Sequence, residues 1–235
     1  MSIAPVVRRS LIPLMLLAGI SSASASGPRL PDTGQTQQYD TQGKLLPPSG
    51  SSLYTGQDAS IKGAELNYVD NGDGTVTDRS TGLMWTQDDS GKRMNWVEAL
   101  EYADKATIAG HDDWRLPNAK ELQSLVDYEK KTFPAINTDF FNTSLTTFDS
   151  VENAYYFWTS TTQGDFKWTA DYVAFGPAWS KKNASATAYF DWHGAGAQRS
   201  DPKTGEPADY ELASEMASDF ISIRNWVRLV RDVAQ

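Results

Sequence analysis

The densest run of reactive side chains in this 235-residue chain lies between His193 and Lys203. His193, Gln198, Arg199, Asp201 and Lys203 place an imidazole, an amide, a guanidinium, a carboxylate and an ammonium on one short segment. Gly194 and Gly196 remove side chains where backbone could come close to a ligand. Trp179 and Trp192 stand nearby among small and polar residues, and an indole face can stack on a sugar. These seven polar and aromatic side chains form a candidate ligand surface on the 176–210 loops. In a competing structural reading, Arg199 and Asp201 pair internally and tie down a long loop. The residues alone favour that reading. A dinucleotide site is a poor fit, because Gly194-Ala195-Gly196 lacks the last glycine of the fingerprint and follows no clear strand.

A second candidate is Asp70-Asn71-Gly72-Asp73-Gly74 with Asp78 beyond it. Asp70, Asp73 and Asp78 offer the oxygen ligands a Ca²⁺ ion needs. With Asp70 first, however, Gly72 and Gly74 fall at ligand positions three and five, so the EF-hand order fails. A hairpin turn explains the same residues, since Gly and Asn tolerate positive φ. No cofactor is therefore expected, with Ca²⁺ as the one alternative. For catalysis, His111 and His193 are the only histidines. Neither Gly-x-Ser-x-Gly nor His-Glu-x-x-His occurs. A carboxylate pair for glycan hydrolysis stays open, because such pairs are not legible in sequence. No catalytic residue is assigned.

Composition narrows the remaining classes. The chain carries 21 basic and 30 acidic side chains, a net charge of −9. Nucleic acid and anionic membrane surfaces need neutralising Lys and Arg, so they are excluded as partners. With no Cys, thiol catalysis, Cys-ligated zinc and iron–sulfur chemistry are ruled out. Arg8-Arg9, the apolar run Leu11 to Ile20, and Ala23-Ser24-Ala25 read as a signal peptide over 1–25, cleaved after Ala25. The expected destination is the periplasm or the exterior, with no transmembrane segment after cleavage. Loss of Arg8 and Arg9 leaves a net charge of about −11.

The elements that would position these groups begin after a Pro/Gly/Ser-rich arm over 26–62, with Leu45-Leu46 and Leu53-Tyr54 as docking points. Residues 63–235 form the main domain. Asn67-Tyr68-Val69, Thr75-Val76-Thr77 and Leu83-Met84-Trp85, separated by turns, predict a three-strand meander. Trp96, Ala99, Leu100 and Ala103 share one face and predict a helix over Asn95 to Lys105. Trp114-Arg115-Leu116 reads as a short buried strand stopped by Pro117. Asn118 and Glu121 then make a capping box for a helix from Ala119 to about Tyr128. Tyr155 to Ser160 and Asp171 to Phe175 have strand composition. Residues 176–216 read as loop, and Trp226 to Arg231 as a buried final strand. Trp85, Trp96, Trp114 and Trp226 fall in apolar patterns and are assigned to the core. Two helices, short antiparallel strands and long loops predict one α+β domain.

The order of motifs carries a resemblance. Asn71 to Asp78, Thr81-Gly82-Leu83-Met84-Trp85, Trp114-Arg115-Leu116-Pro117, Phe157-Trp158-Thr159-Ser160-Thr161 and Trp226 to Arg231 together resemble the DUF1566 family, also called the Lcl C-terminal domain. Leu30 to Thr36, Gly56 to Ala59 and His193 to Lys203 resemble a subgroup of it. The resemblance implies a C-type-lectin-like fold in which the chain ends pair. It also implies a non-catalytic module that binds a glycan or a surface protein. The Glu-Pro-Asn, Gln-Pro-Asp and Trp-Asn-Asp motifs of Ca²⁺-dependent lectins are absent. Relatives in the subgroup often carry Cys near the positions of Gln38, Leu46 and Leu229. Their absence here implies a dispensable structural disulfide. The expected function is an exported binding module acting through the 176–210 loops. The alternatives are an assembly protein that uses its arm, and a glycan hydrolase. Oligomeric state is not legible.

Overall fold

The structure is a computed structural model that describes residues 30–47, 56–144, 147–148, 151–152, 155–182, 186–206, 209–210 and 220–233. The signal peptide and Leu53-Tyr54 lie outside the described residues. Among the described residues, no helix is long and apolar enough to cross a membrane.

The meander forms as its composition predicts. β1 (Tyr68–Asp70), β2 (Thr75–Asp78) and β3 (Leu83–Thr86) pair antiparallel in sequence order. Gly72 and Gly74 hold φ of 75° and 85° in the first turn, where L side chains are strained. The sheet is completed by β11 (Val230–Asp232), which pairs antiparallel with β3 through Val230 and Trp85. The final strand therefore lies beside an early one, but it is shorter than Trp226 to Arg231. The preceding residues leave the ladder: Asn225 bridges Met94, Trp226 bridges Phe157, and the Arg228 side chain turns inward.

Trp114-Arg115-Leu116 is a correction of the same kind. Arg115 alone exchanges backbone bonds with Val230, at 2.9 and 3.0 Å, so the expected strand is a single bridge. Pro117 has no N–H to extend it. The capping box after it is present. Asn118 accepts from the Glu121 N–H at 3.0 Å, and Glu121 accepts from the Asn118 N–H at 2.8 Å. Glu121 also takes both guanidinium nitrogens of Arg115, fixing the junction angle.

α1 (Trp96–Asp104) starts at the predicted place, behind a second capping box of Asn95 and Glu98. Its buried face runs through Ala99 and Ala103 with Tyr102 beside them, which leaves Leu100 at the margin, 36% exposed. α2 (Ala119–Gln123) is five residues long and stops well short of Tyr128. Leu125 and Val126 stay buried, but their N–H groups bond three residues back. The next two amides leave the helix path. Asp127 donates to Ala135 at 3.0 Å and Tyr128 donates to Thr33 at 3.1 Å.

Two short hairpin strands, β4 (Thr147–Phe148) and β5 (Val151–Glu152), lead into a second sheet. β6 (Tyr156–Thr162) and β7 (Thr169–Ala174) pair antiparallel. The described residues between 176 and 206 do not form the unbroken loop that their small, polar composition suggests. β8 (Trp179–Lys181) pairs with β9 (Tyr189–Asp191), and β10 (Gln198–Pro202) adds to β7 as an edge strand. Long-range ladder bonds order this weak strand composition.

Side chains alternate across β7 and separate two cores. Ala170, Tyr172 and Ala174 pack with α1, Trp114 and Trp158. Val173 packs on the other face with Leu122, Leu125, Trp85 and Val230. Trp85, Trp114 and Trp226 are buried, and Trp96 is half-buried with its indole N–H on the Thr159 carbonyl at 2.8 Å.

The arm is pinned by polar groups. Pro31 bridges Ala64, and Asp32 accepts from the Gly34 and Gly63 N–H groups. Thr36 donates its N–H to Glu129 at 2.9 Å. Leu45, expected as a docking residue, is 53% exposed.

On the outer edge of β11, Arg231 grips Asp113 through Nε and Nη2 at 2.6 and 3.1 Å. The guanidinium holds the Asp113 carboxyl below its usual range. A lowered carboxyl pKa contributes stability above the unfolded value of 3.8 and loses it as pH falls through the folded value. Asp113→Asn is therefore expected to flatten the acid limb of a stability-against-pH curve below about pH 4. Parallel acid unfolding curves for the two proteins would contradict this.

Candidate functional site

Strand formation at 198–202 decides what the reactive run can do. Its alternation sends neighbouring side chains to opposite faces. Arg199 and Asp201 lie opposite Tyr172 and Ala170, on the α1 side. There Arg199 donates to the Trp179 carbonyl at 2.9 Å, and Asp201 accepts the Ser222 N–H at 2.7 Å. Asp201 is 2% exposed. Lys203, just past the strand, donates to Thr162 Oγ1 and the Lys167 carbonyl at 2.8 and 2.9 Å. Its ammonium also sits 4.4 Å from the centre of the Trp96 ring. These three charged side chains hold backbone segments together and do not meet in one pocket.

Trp179 is half-buried beneath Arg199, and its backbone N–H donates to the Tyr156 hydroxyl at 2.9 Å. Burial pushes that Tyr156 hydroxyl above its ordinary range. Trp192 is 58% exposed, and His193 is exposed beside it. The Asp191 carboxylate shapes this corner by accepting from the Ala178 and Gly194 N–H groups at 3.0 and 2.8 Å.

Gln198 goes the other way, to the α2 face. Its Nε2 donates to Asp171 Oδ2 at 2.9 Å. Asp171 is 7% exposed, and burial raises its carboxyl above the usual range. Gln198 and Gly196 line a groove of about 790 Å³ between the arm, α2 and the start of β10. That volume suits a small ligand. The arm supplies Pro31, Thr33, Gln35 and Asp58, and α2 supplies Lys120 and Gln123.

Tyr128 also lines the groove and is 40% exposed. Its position follows from Gly196, which holds φ of 89°. A Cβ at residue 196 would stand 2.4 Å from Tyr128 Cε1. The close approach that glycine permits here is thus to an aromatic ring of the same chain. The Tyr128 hydroxyl takes a hydrogen bond from Gln123 Nε2, which also donates to the Gly196 carbonyl at 2.9 Å. Lys120 is exposed and has no ion pair among the described residues.

The aspartates of the first turn serve the turn. Asp70 accepts the Gly72 N–H at 2.8 Å, and Asp73 accepts the Thr75 N–H and hydroxyl at 3.1 and 2.6 Å. Asp78 is fully buried at the other end of the hairpin, opposite Tyr68, and accepts from Ser80 and Thr81. Among the described residues, no three His, Asp or Glu side chains are grouped to hold a metal.

Sequence reading missed Tyr128, Lys120, Gln123, Gln35 and Asp58 as groove residues. They are far apart in the chain, and a helix drawn to Tyr128 hid the break after Gln123. One signal was present: Gly196 was legible as a point of close approach, although not to what.

A family model described as the Lcl C-terminal domain matches residues 74–194. The match contains α2 and Tyr128, while the arm and β10 lie outside it. Neither the curated proteins nor the solved structures contain a match to the chain.

Proposed function

The chain belongs to the Lcl C-terminal domain family, and from that premise we propose that it is an exported, non-catalytic binding module of C-type-lectin-like fold that holds a glycan in the groove between its arm and α2. The observation that carries this reading is the Tyr128 ring, 40% exposed in a groove of about 790 Å³. An aromatic face supplies apolar area to the C–H face of a sugar, while the polar rim takes its hydroxyls. Gln35, Lys120 and Gln198 are the rim groups suited to that task. The family-matched part of the chain supplies the ring, and the arm and β10 supply the opposing walls. The ligand surface thus moves from the 176–210 loops to a groove that keeps only Gln198 of the original candidate residues.

The test is a glycan array probed with wild type, Tyr128→Ala and Tyr128→Phe. Tyr128→Ala should weaken every positive by about tenfold, the scale of one lost aromatic contact. Tyr128→Phe should bind nearly as wild type. The aspartates of the first turn are occupied by turn hydrogen bonds, so binding should survive EDTA. An array without positives, or equal binding by Tyr128→Ala, would retire the glycan reading.

A further inference from the structure

Gln198 offers the groove either a donor or an acceptor, depending on which way its amide faces. The partner beneath it decides. An ionised Asp171 has no proton to give, so Gln198 must present Nε2 to it, and does so at 2.9 Å. The carbonyl oxygen Oε1 then becomes the free end of the amide, on an exposed residue of the groove lining. Asp171 is itself held in place. It sits in the centre of the sheet, on β7 between β6 and β10, and its backbone carbonyl accepts the Thr159 hydroxyl at 2.7 Å. Across the groove, Asp58 adds a carboxylate on the arm. Lys120 is the cation of the lining, and it is exposed at the rim.

We propose that Asp171 is a positioning residue that fixes the hydrogen-bonding polarity of the groove, so that Gln198 Oε1 selects glycans bearing an amino group. This rests on the glycan reading above. An ammonium donates to Oε1 and is favoured by the nearby carboxylates. An N-acetyl group at the same place keeps one N–H donor but is neutral, so it gains a neutral hydrogen bond where the ammonium gains a charge-assisted one.

Two measurements separate this inference from its premise. In the first, NMR of the Gln198 side-chain NH₂ in the ligand-free protein should show protection from exchange and contacts to Asp171. Both should be altered in Asp171→Asn. In the second, wild type and variants are titrated with glucosamine oligomers and with N-acetylglucosamine oligomers. Wild type should prefer the amino form by about tenfold, the scale of one charge-assisted hydrogen bond.

Asp171→Asn lets residue 171 donate to Gln198 Oε1. An asparagine amide can also still accept, so Gln198 is no longer held in one orientation and the preference should collapse toward parity. Asp171→Asn combined with Gln198→Glu restores an acceptor and should restore the original preference. A merely structural role for Asp171 would weaken both ligands equally and show no such rescue. The proposal is overturned by a freely exchanging Gln198 NH₂ in wild type, or by a preference that stays the same in all three proteins. Failure of wild type to bind either oligomer, with Gln198 protected, removes the glycan premise and the selectivity with it.

Discussion

Arg228→Ala is expected to destabilise the fold by about 3–5 kcal/mol, the scale of truncating a large buried side chain that also satisfies buried acceptors. Arg228 is 1% exposed and has no carboxylate in hydrogen-bond contact among the described residues. Its guanidinium instead donates to the carbonyls of Thr86, Gln87 and Asn142, at 2.7, 2.6 and 2.5 Å. The Phe141 and Phe157 rings lie 5.2 and 5.8 Å away and face the cation. Burial pushes the group down to about 10, against the opposing pull of Asp89 and Asp88, so it stays charged at neutral pH. One side chain therefore joins the exit of β3, the turn at Asn142 and the last segment of the chain.

Truncation removes a donor from all three carbonyls and opens a cavity beside them, although the Gln87 carbonyl still accepts the Asn142 N–H at 2.9 Å. Each orphaned acceptor costs about 1–3 kcal/mol, and the sum is not additive. Arg228→Met fills the space but satisfies none of them, so it should fail nearly as badly. Arg228→Lys keeps the charge and should recover part of the loss. In thermal unfolding of a chain this size, the alanine variant should melt roughly 10 °C lower. A stability within 1 kcal/mol of wild type would mean that water replaces the guanidinium without penalty.

The second large effect is at Gly196. With φ of 89°, any L side chain there is strained by about 1–2 kcal/mol. Alanine adds a Cβ at 2.4 Å from Tyr128 Cε1 and 2.8 Å from Cζ, closer than atoms approach. The ring must leave its seat. Gly196→Ala is therefore expected to lose about 2–4 kcal/mol of stability and to weaken binding as much as Tyr128→Ala does. A double-mutant cycle separates strain from clash. With Tyr128 already truncated, Gly196→Ala should retain only the backbone cost, giving a coupling of about 1–2 kcal/mol. Additive losses would show that the ring and the glycine do not constrain each other, and would weaken the case for Tyr128 as the sugar platform.

Much of the scaffold was legible because its signals are local. The Asn118–Glu121 capping box, the glycine turn at Gly72 and Gly74, and the face of α1 through Ala99 and Ala103 each depend on residues within four positions of one another. Chain order alone carried the family resemblance for the same reason, since its motifs are these local devices in sequence. The limits fall where a distant partner wins. α2 stops at Gln123, the chain tightens to three-residue bonds through Val126, and the helix cannot run on to Tyr128 because the Asp127 and Tyr128 amides are claimed by Ala135 and Thr33. The segment 198–202 becomes a strand because β7 offers it a ladder, although its own composition reads as loop.

The sequence by itself determined the α+β class, the cysteine-free and acidic character, and the positions of caps and turns. These follow from side-chain chemistry and short-range geometry. Only the tertiary structure decided what the reactive run between His193 and Lys203 is for. Strand alternation turned Arg199 and Asp201 into pins for neighbouring backbone. It turned Gln198 toward a groove whose other walls come from residues near 30, 58 and 120. A groove is a relation among distant segments, and no periodicity within any one of them encodes it.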